Sequence, residues 1–128
     1  MIRLELITPI ESLNALKGRH WSARSKGKTA WAAELTFRRT RALAPRTPPA
    51  HLQLVTIERL MLPSERAFDF ENLAGGNAKS LIDCLTRLGF WRDDNPKWLD
   101  RHYAQRPATE TERQSGIRTI VEIQRAFE

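Results

Sequence analysis

Residues 77–89 have the sequence NAKSLIDCLTRLG, and this stretch carries the clearest structural signal in the chain. Its apolar residues gather on one side of a helical wheel: Leu81, Ile82, Cys84, Leu85 and Leu88. Lys79 and Asp83 lie on the opposite, polar side. Asn77 is a suitable N-cap, and Gly89 follows the last apolar position as a C-terminal stop. The segment therefore predicts an amphipathic helix from 78 to 88 with its leucine side buried.

Strand-like segments surround this helix. In the last of them, Ile117, Thr119, Val121 and Ile123 alternate with outward-facing positions, the period-two pattern of a half-buried strand. Prolines at 45–49 end a second predicted helix. The predicted elements are a strand at 2–7, a helix at 22–44, strands at 51–61, 98–105 and 116–125, the helix at 78–88, and irregular chain at 8–19 and 62–76. This order predicts one α+β domain over residues 1–128, with a mixed sheet and two covering helices.

Composition narrows the class of protein. The chain has 128 residues, a formal charge of +6 and one cysteine, Cys84. A single cysteine excludes a disulfide framework and a thiolate zinc site, and we expect it to be a small core residue. No apolar run approaches the ~20 residues that span a bilayer, and residues 1–6 alternate rather than form the apolar stretch of a signal peptide. We expect a soluble, cytoplasmic protein with no membrane partner.

The positive charge is concentrated near the N-terminus. Residues 1–50 hold ten of the Lys and Arg residues and three of the acids. Guanidinium groups suit phosphate because they donate paired hydrogen bonds. The ordinary alternative is a solubilising surface. The candidate DNA-binding residues are Lys17, Arg19, His20, Arg24, Lys26, Lys28, Arg38 and Arg39.

Acids in the middle of the chain form a second pattern. Asp69 and Glu71 are two residues apart, so an extended backbone would point both to one face. Residues 73–76 look like a flexible spacer, and Asp93 and Asp94 occupy a predicted turn. Each feature has an ordinary explanation as a cap, a turn or a solvated ion pair between Lys79 and Asp83. Together, several carboxylates in a cationic protein would repel one another unless a cation balanced them.

Magnesium is the cation that this pattern favours. It takes oxygen ligands and is typically held by one or two carboxylates plus substrate phosphates. On a phosphodiester it polarises an oxygen and activates a water, while a nearby lysine stabilises the developing negative charge. Acidic ligands within a basic surface are what a metal-dependent nuclease requires.

Three motifs resemble the RusA family of Holliday junction resolvases. They are FDFEN at 68–72, KSLID at 79–83 and GFWRDD at 89–94, similar to the family's Asp-x-Asp-Asn element, its Lys with an Asp four residues on, and its Gly-hydrophobic segment before Asp-Asp. The double glycine before the lysine looks like the phage and prophage branch. Residues 13–31 are also similar to the family's N-terminal region, so the resemblance spans about residues 2–125. It implies a homodimeric, Mg²⁺-dependent endonuclease, with Mn²⁺ as a substitute, that nicks two symmetric strands of a four-way DNA junction.

The resemblance also implies a role for each motif residue. The metal-binding carboxylates are Asp69, Glu71 and Asp94, and Lys79 takes the place of the catalytic lysine. Asp83 and Asp93 match acidic supporting positions, and Asn72 organises the loop. Glu71 departs from the family because it stands where Asp is usual, and its carboxylate reaches one methylene farther. We expect a reduced or shifted metal preference, since positioning is sensitive to about 1 Å.

Other readings stay open. The same scaffold would also suit a non-catalytic nucleic-acid-binding protein, and a basic protein of an RNA assembly fits the charge but not the acids. Phe90 and Trp91 are either core anchors or aromatic contacts for unstacked bases. Trp31 and Trp98 are expected in the core. The histidines, His20, His51 and His102, lack metal-ligand spacing, and His20 is the one placed to approach phosphate.

Overall fold

The computed structural model describes residues 1–16, 30–36 and 43–127. Four strands form one mixed sheet in the order β1-β4-β2-β3. They are β1 (Ile2–Leu6), β2 (Gln53–Met61), β3 (Leu99–Pro107) and β4 (Thr119–Arg125). β4 pairs antiparallel with both β1 and β2, whereas β2 and β3 are parallel. The predicted α+β class with a mixed sheet is confirmed, and β3 lies at one edge of the sheet.

Helices occupy the connections between the strands. They are α1 (Leu13–Leu16), α2 (Phe70–Gly75), α3 (Ala78–Leu88) and α4 (Glu110–Ser115), and residues 30–35 are also helical. The rest of the helix predicted at 22–44 falls mostly outside the described residues. The described helices include none long and apolar enough to cross a membrane.

Three of these helices are absent from the sequence prediction. Segments 8–19 and 62–76 are predicted to be irregular, yet they contain α1 and α2. α4 lies between the strands predicted at 98–105 and 116–125, where the sequence predicted no element. All three are too short to show a helical period in the sequence. α4 is stabilised by a capping box in which the Thr109 hydroxyl accepts from the Glu112 amide, and the Glu112 carboxylate accepts from the Thr109 amide, which satisfies two otherwise orphaned donors.

Helix α3 has the predicted limits but a different N-terminal contact. Gly89 ends it with φ of 88°, the left-handed conformation that favours glycine. Asn77 stands at the N-cap position without capping the helix through its side chain. Its amide instead accepts from the Glu11 N–H at 2.6 Å and donates to the Pro9 carbonyl at 3.0 Å. The residue therefore ties α3 to the chain after β1.

The main core lies between α3, residues 30–35 and one face of the sheet. Leu81 and Leu85 of α3 are fully buried against it, as the wheel predicted, and each such side chain contributes about 1.5–3 kcal/mol by leaving water. Trp31, Phe90 and Trp91 are also buried. The interpretation of Phe90 and Trp91 as core residues is therefore confirmed. Cys84 is buried in the same cluster.

The opposite face of the sheet has a smaller apolar cluster. Leu60, Ala108 and Ile120 are buried there, with Ile117 packed against them. The remaining side chains of that face include the ion pair between Arg3 and Glu122. This face therefore combines a small apolar cluster with charged side chains.

Candidate functional site

Three side chains of β3 connect the two acidic segments to the sheet. Arg101, Tyr103 and Gln105 alternate along the strand, so they project from one face. In the parallel register they pair with Val55, Ile57 and Arg59 of β2, of which Val55 and Ile57 belong to the main core. The face that carries them is therefore the helix-covered one.

Asp94 approaches this face through Arg101. The Arg101 guanidinium donates to the Asp94 carbonyl at 2.7 Å and lies 4.0 Å from its carboxylate. The Asp94 side chain is 43% exposed, so its oxygens stay accessible. The turn that leads to it follows the predicted chemistry, because the Asp93 carboxylate accepts from the Asp94 amide at 2.8 Å and from the Asn95 side-chain amide at 3.2 Å. Asp93 thus serves the turn.

Asp69 begins α2. Its carboxylate accepts from the Asn72 backbone amide at 2.9 Å and from the Asn72 side-chain amide at 3.1 Å. Asn72 also accepts from the Asn14 amide at 2.9 Å, which joins α2 to α1. Asn72 thus organises the hydrogen bonds of this turn, and Asp69 remains on the exposed end of the helix.

Glu71 lies in the first turn of α2 and is exposed. The expectation of an extended Asp69–Glu71 stretch, with both side chains on one face, is wrong because the helix starts at Phe70. Residues at i and i+2 do not face each other on a helix. Phe70, between them, is 68% exposed and packs against Tyr103 in a T-shaped arrangement, with the ring centroids 6.0 Å apart.

The double glycine is packed, not flexible. Gly75 closes α2 and Gly76 is buried. A Cβ on Gly76 would overlap the carbonyl oxygen of Glu11, so only glycine allows this close approach. The spacer therefore holds α2 and α3 against the segment after β1.

Lys79 and Asp83 lie on α3, outside its leucine side. Lys79 is exposed in the first turn and Asp83 is half-buried one turn later. In the described part of the chain, no ion pair joins the two side chains within 4.0 Å. The ordinary explanation of this spacing, a solvated pair, is not what the structure has, and the Lys79 ammonium remains available to a ligand.

Two cations flank an aromatic ring beside the Asp93–Asp94 turn. Arg92 and Lys97 lie over Trp98 at 4.9 and 5.0 Å from the ring centroid, within the range of a cation–π attraction. Trp98 is half-buried, so the expectation that it is a core residue is wrong. The stacking keeps two positive groups near the acidic turn.

A pre-assembled metal site is not present in the described residues. Across 1–16, 30–36 and 43–127, no three Asp, Glu, His or Cys side chains are close enough to hold one ion. Asp69, Glu71 and Asp94 thus form no three-carboxylate group. The donor chemistry nevertheless suits Mg²⁺, which takes oxygen ligands and commonly needs only one or two carboxylates beside substrate phosphates.

The predicted cationic surface falls on residues outside the described ranges. Lys17, Arg19, His20, Arg24, Lys26, Lys28, Arg38 and Arg39 all lie outside the described residues. The other two histidines are exposed and belong to no candidate site. The His102 Nε2 lies 3.2 Å from the Asp100 carboxylate, and the His51 Nδ1 lies 3.5 Å from Arg125.

Sequence reasoning missed Arg59 and Gln105, which contact the segment before Asp69. Arg59 is 3% exposed on β2, and its guanidinium carbon lies 3.5 Å from the Phe68 ring centroid. The sequence pattern could have identified Arg59, because Val55, Ile57 and Arg59 share one face of a period-two strand. A basic residue on the apolar face of a strand indicates a buried cation that needs partners.

Neither a scan of known protein families nor a search of curated proteins found a match for this chain. The resemblance to the RusA family therefore rests on the motif residues themselves. The geometry around these residues is a separate observation that does not depend on the resemblance.

Proposed function

We propose that this protein is a Mg²⁺-dependent endonuclease that cuts branched DNA, with the four-way junction as its preferred substrate. One observation carries the proposal. Asp94 is held by Arg101, and the residues flanking Asp69 are held by Tyr103 and Gln105 on the same face of β3. Segments 25 residues apart in the chain are thus attached within about 13 Å along one strand.

The proposed division of labour follows from the chemistry of each group. Asp69, Glu71 and Asp94 would supply carboxylate oxygens to Mg²⁺, or to Mn²⁺ in its place, together with phosphate oxygens of the DNA. When bound, the ion supplies Lewis-acid polarisation of the phosphate and acidifies a water. The exposed Lys79 ammonium would stabilise negative charge on the phosphate as the transition state forms. Asn72 holds the Asp69 carboxylate in place through its three hydrogen bonds.

The cationic groups would bring the polyanion to this site. Arg92 and Lys97, stacked on Trp98, are the described candidates near Asp94, and the basic residues between 17 and 39 would hold duplex arms through phosphates. Such contacts select shape over sequence. We further propose that the protein acts in the cytoplasm as a homodimer, because two symmetric cuts in a junction need two active sites related by a two-fold axis.

A non-catalytic DNA-binding protein on this scaffold is the second candidate. The observation that favours it is the absence of a three-carboxylate group among the described residues, since Asp69 has a capping role that would persist without catalysis. The two candidates differ in whether bound DNA is cut.

A nicking assay separates them. End-labelled four-way junction and a linear duplex of the same sequence are incubated with the protein in Mg²⁺ or in EDTA. We expect symmetric nicks in the junction with Mg²⁺ alone, and none in the duplex. In Asp69→Asn, cleavage should disappear while junction binding in EDTA persists, because Asn also caps a helix well. Junction binding without cleavage by the unmodified protein would support the second candidate, and full activity of Asp69→Asn would remove Asp69 from the site.

A further inference from the structure

Arg59 and Gln105 enclose Phe68, the residue that immediately precedes Asp69. The Gln105 amide contacts both backbone groups of Phe68: its Oε1 accepts from the Phe68 N–H at 2.9 Å, and its Nε2 donates to the Phe68 carbonyl at 2.6 Å. A single side chain thus pairs with Phe68 as a neighbouring strand would. The backbone on the N-terminal side of Asp69 is fixed in both its donor and its acceptor.

Arg59 holds the same residue from the other side. Its guanidinium stacks on the Phe68 ring, with the Cζ atom 3.5 Å from the centroid. The Nη1 group donates to the Arg66 carbonyl at 3.0 Å and to the Gln105 Oε1 at 3.2 Å. Gln105 is therefore oriented by Arg59 while it holds Phe68.

This arrangement keeps a cation in the protein interior. Burial lowers the pKa of Arg59, an effect opposed by Glu65 and reinforced by Arg118. The Glu65 carboxylate lies 3.7 Å from Arg59 and 2.8 Å from Arg118, and the Nε atoms of both arginines are buried without a hydrogen-bond partner. A buried cation with an unsatisfied donor costs stability relative to an apolar residue of similar volume.

We infer that Arg59 and Gln105 are positioning residues that hold the Phe68–Asn72 segment so that the Asp69 carboxylate faces its ligand. The inference rests on the proposed function for the identity of that ligand. In this proposal, ligand contact is assigned to Asp69 and not to Arg59 or Gln105. They act on Asp69 through Phe68: Gln105 fixes its backbone and Arg59 covers its ring. Asn72 restrains Asp69 from its C-terminal side.

The test uses Gln105→Leu and Gln105→Glu in the full chain. Leucine removes both bonds to Phe68. Glutamate keeps an acceptor for the Phe68 N–H and for Arg59 but cannot donate to the Phe68 carbonyl, so it should be the milder change. Gln124→Leu is the matched control, because Gln124 is an exposed strand residue of β4.

Three measurements are made on each variant. The first is the single-turnover cleavage rate at saturating junction, which should fall at least about tenfold in Gln105→Leu. A displacement of 1 Å can lower a catalytic rate about hundredfold, which sets the upper end of the expected loss. The rate should fall less in Gln105→Glu. The second is junction affinity in EDTA, which should stay within about twofold of that of the unmodified protein. The cleavage rate of Gln124→Leu should also stay within about twofold of the unmodified rate. Amide hydrogen exchange should quicken at 68–72 while Ile57 and Val121 stay protected, because the change is local.

The outcomes distinguish this inference from the proposed function. A Gln105→Leu protein that cuts at the unmodified rate despite faster exchange at 68–72 would overturn the positioning role and leave the nuclease proposal standing. Unchanged exchange at 68–72 would overturn it as well. If the unmodified protein does not cut, the nuclease proposal fails, and the exchange data alone then decide whether Gln105 holds the Asp69 segment. A general loss of protection or of junction binding in Gln105→Glu, the milder variant, would assign the residue to fold stability and contradict the inference.

Discussion

Arg101 binds Asp94 through the backbone: its guanidinium donates a 2.7 Å hydrogen bond to the Asp94 carbonyl, whereas the carboxylate lies 4.0 Å away. The shorter of the two contacts that attach the acidic turn to β3 thus does not involve the Asp94 carboxylate. This separation makes the turn suitable for mutation, because the carboxylate can be removed without removing the contact that places it.

Asp94→Asn is expected to abolish Mg²⁺-dependent junction cleavage and to leave binding intact. The substitution removes the negatively charged oxygen that is proposed as a metal ligand, and it keeps the carbonyl that accepts from Arg101. The measurement is nicking of a labelled junction beside a gel-shift in EDTA. Asp100→Asn is the matched control, since Asp100 lies on the opposite face of β3 and is exposed. Equal cutting by Asp94→Asn and the control would contradict the assigned site.

Lys79→Ala should bind the junction and cut it slowly. The ammonium is exposed at the start of α3, and a single electrostatic contact to the transition state is worth roughly 10²–10³ in rate. Single-turnover rates at saturating protein report this effect. Arg87→Ala, which removes a cation from the last turn of the same helix, should cut normally. A normal rate for Lys79→Ala would exclude this lysine from the mechanism.

Gly76→Ala should lower the free energy of unfolding by about 2–4 kcal/mol, because the added methyl group overlaps the Glu11 carbonyl and forces the backbone apart. Gly75→Ala is the control. Its Cβ would meet a Leu13 methyl group at 3.2 Å, where a flexible side chain can move, and alanine favours helix. Urea denaturation of both variants measures the difference. Similar midpoints would show that residues 9–12 do not need to approach Gly76 closely.

Acid should weaken the contact between Arg106 and Glu112. The hydrogen bonds from Arg106, followed by the bond from the Thr109 amide, lower the pKa of Glu112 to about 2 from its ordinary 4.5. Because the folded pKa is depressed, the stabilisation is complete above about pH 5 and disappears as the pH falls towards 2. It should amount to about 1–2 kcal/mol, since Arg106 is partly solvated.

Glu112→Gln tests this pH dependence. The unmodified protein should exceed the variant in unfolding free energy at pH 7, and the gap should close between pH 4.5 and 2. Thr111→Ser, an exposed change on the same helix that adds no titratable group, serves as the control. A gap that stays constant with pH would show that the contribution of Glu112 does not depend on its charge.

Much of the fold could be predicted from local pattern. The α3 leucines at helical spacing and the alternation in β4 identify their elements because burial on one face imposes a period on the sequence. α2 could not be found this way. It has six residues, and the Asp69 cap that starts it was equally consistent with a turn.

The sequence by itself determined the chemistry available to this protein: which acids, which lysine and how many cations, and that one helix has a buried side. Tertiary structure alone decided which of these groups share a surface. The parallel pairing of β2 with β3 places Arg59 beside Gln105, and folding brings Phe68 to both. The two contacts of Gln105 join residues 37 and 46 positions apart. Such contacts leave no period in a chain, because they depend on strand register and not on neighbouring side chains.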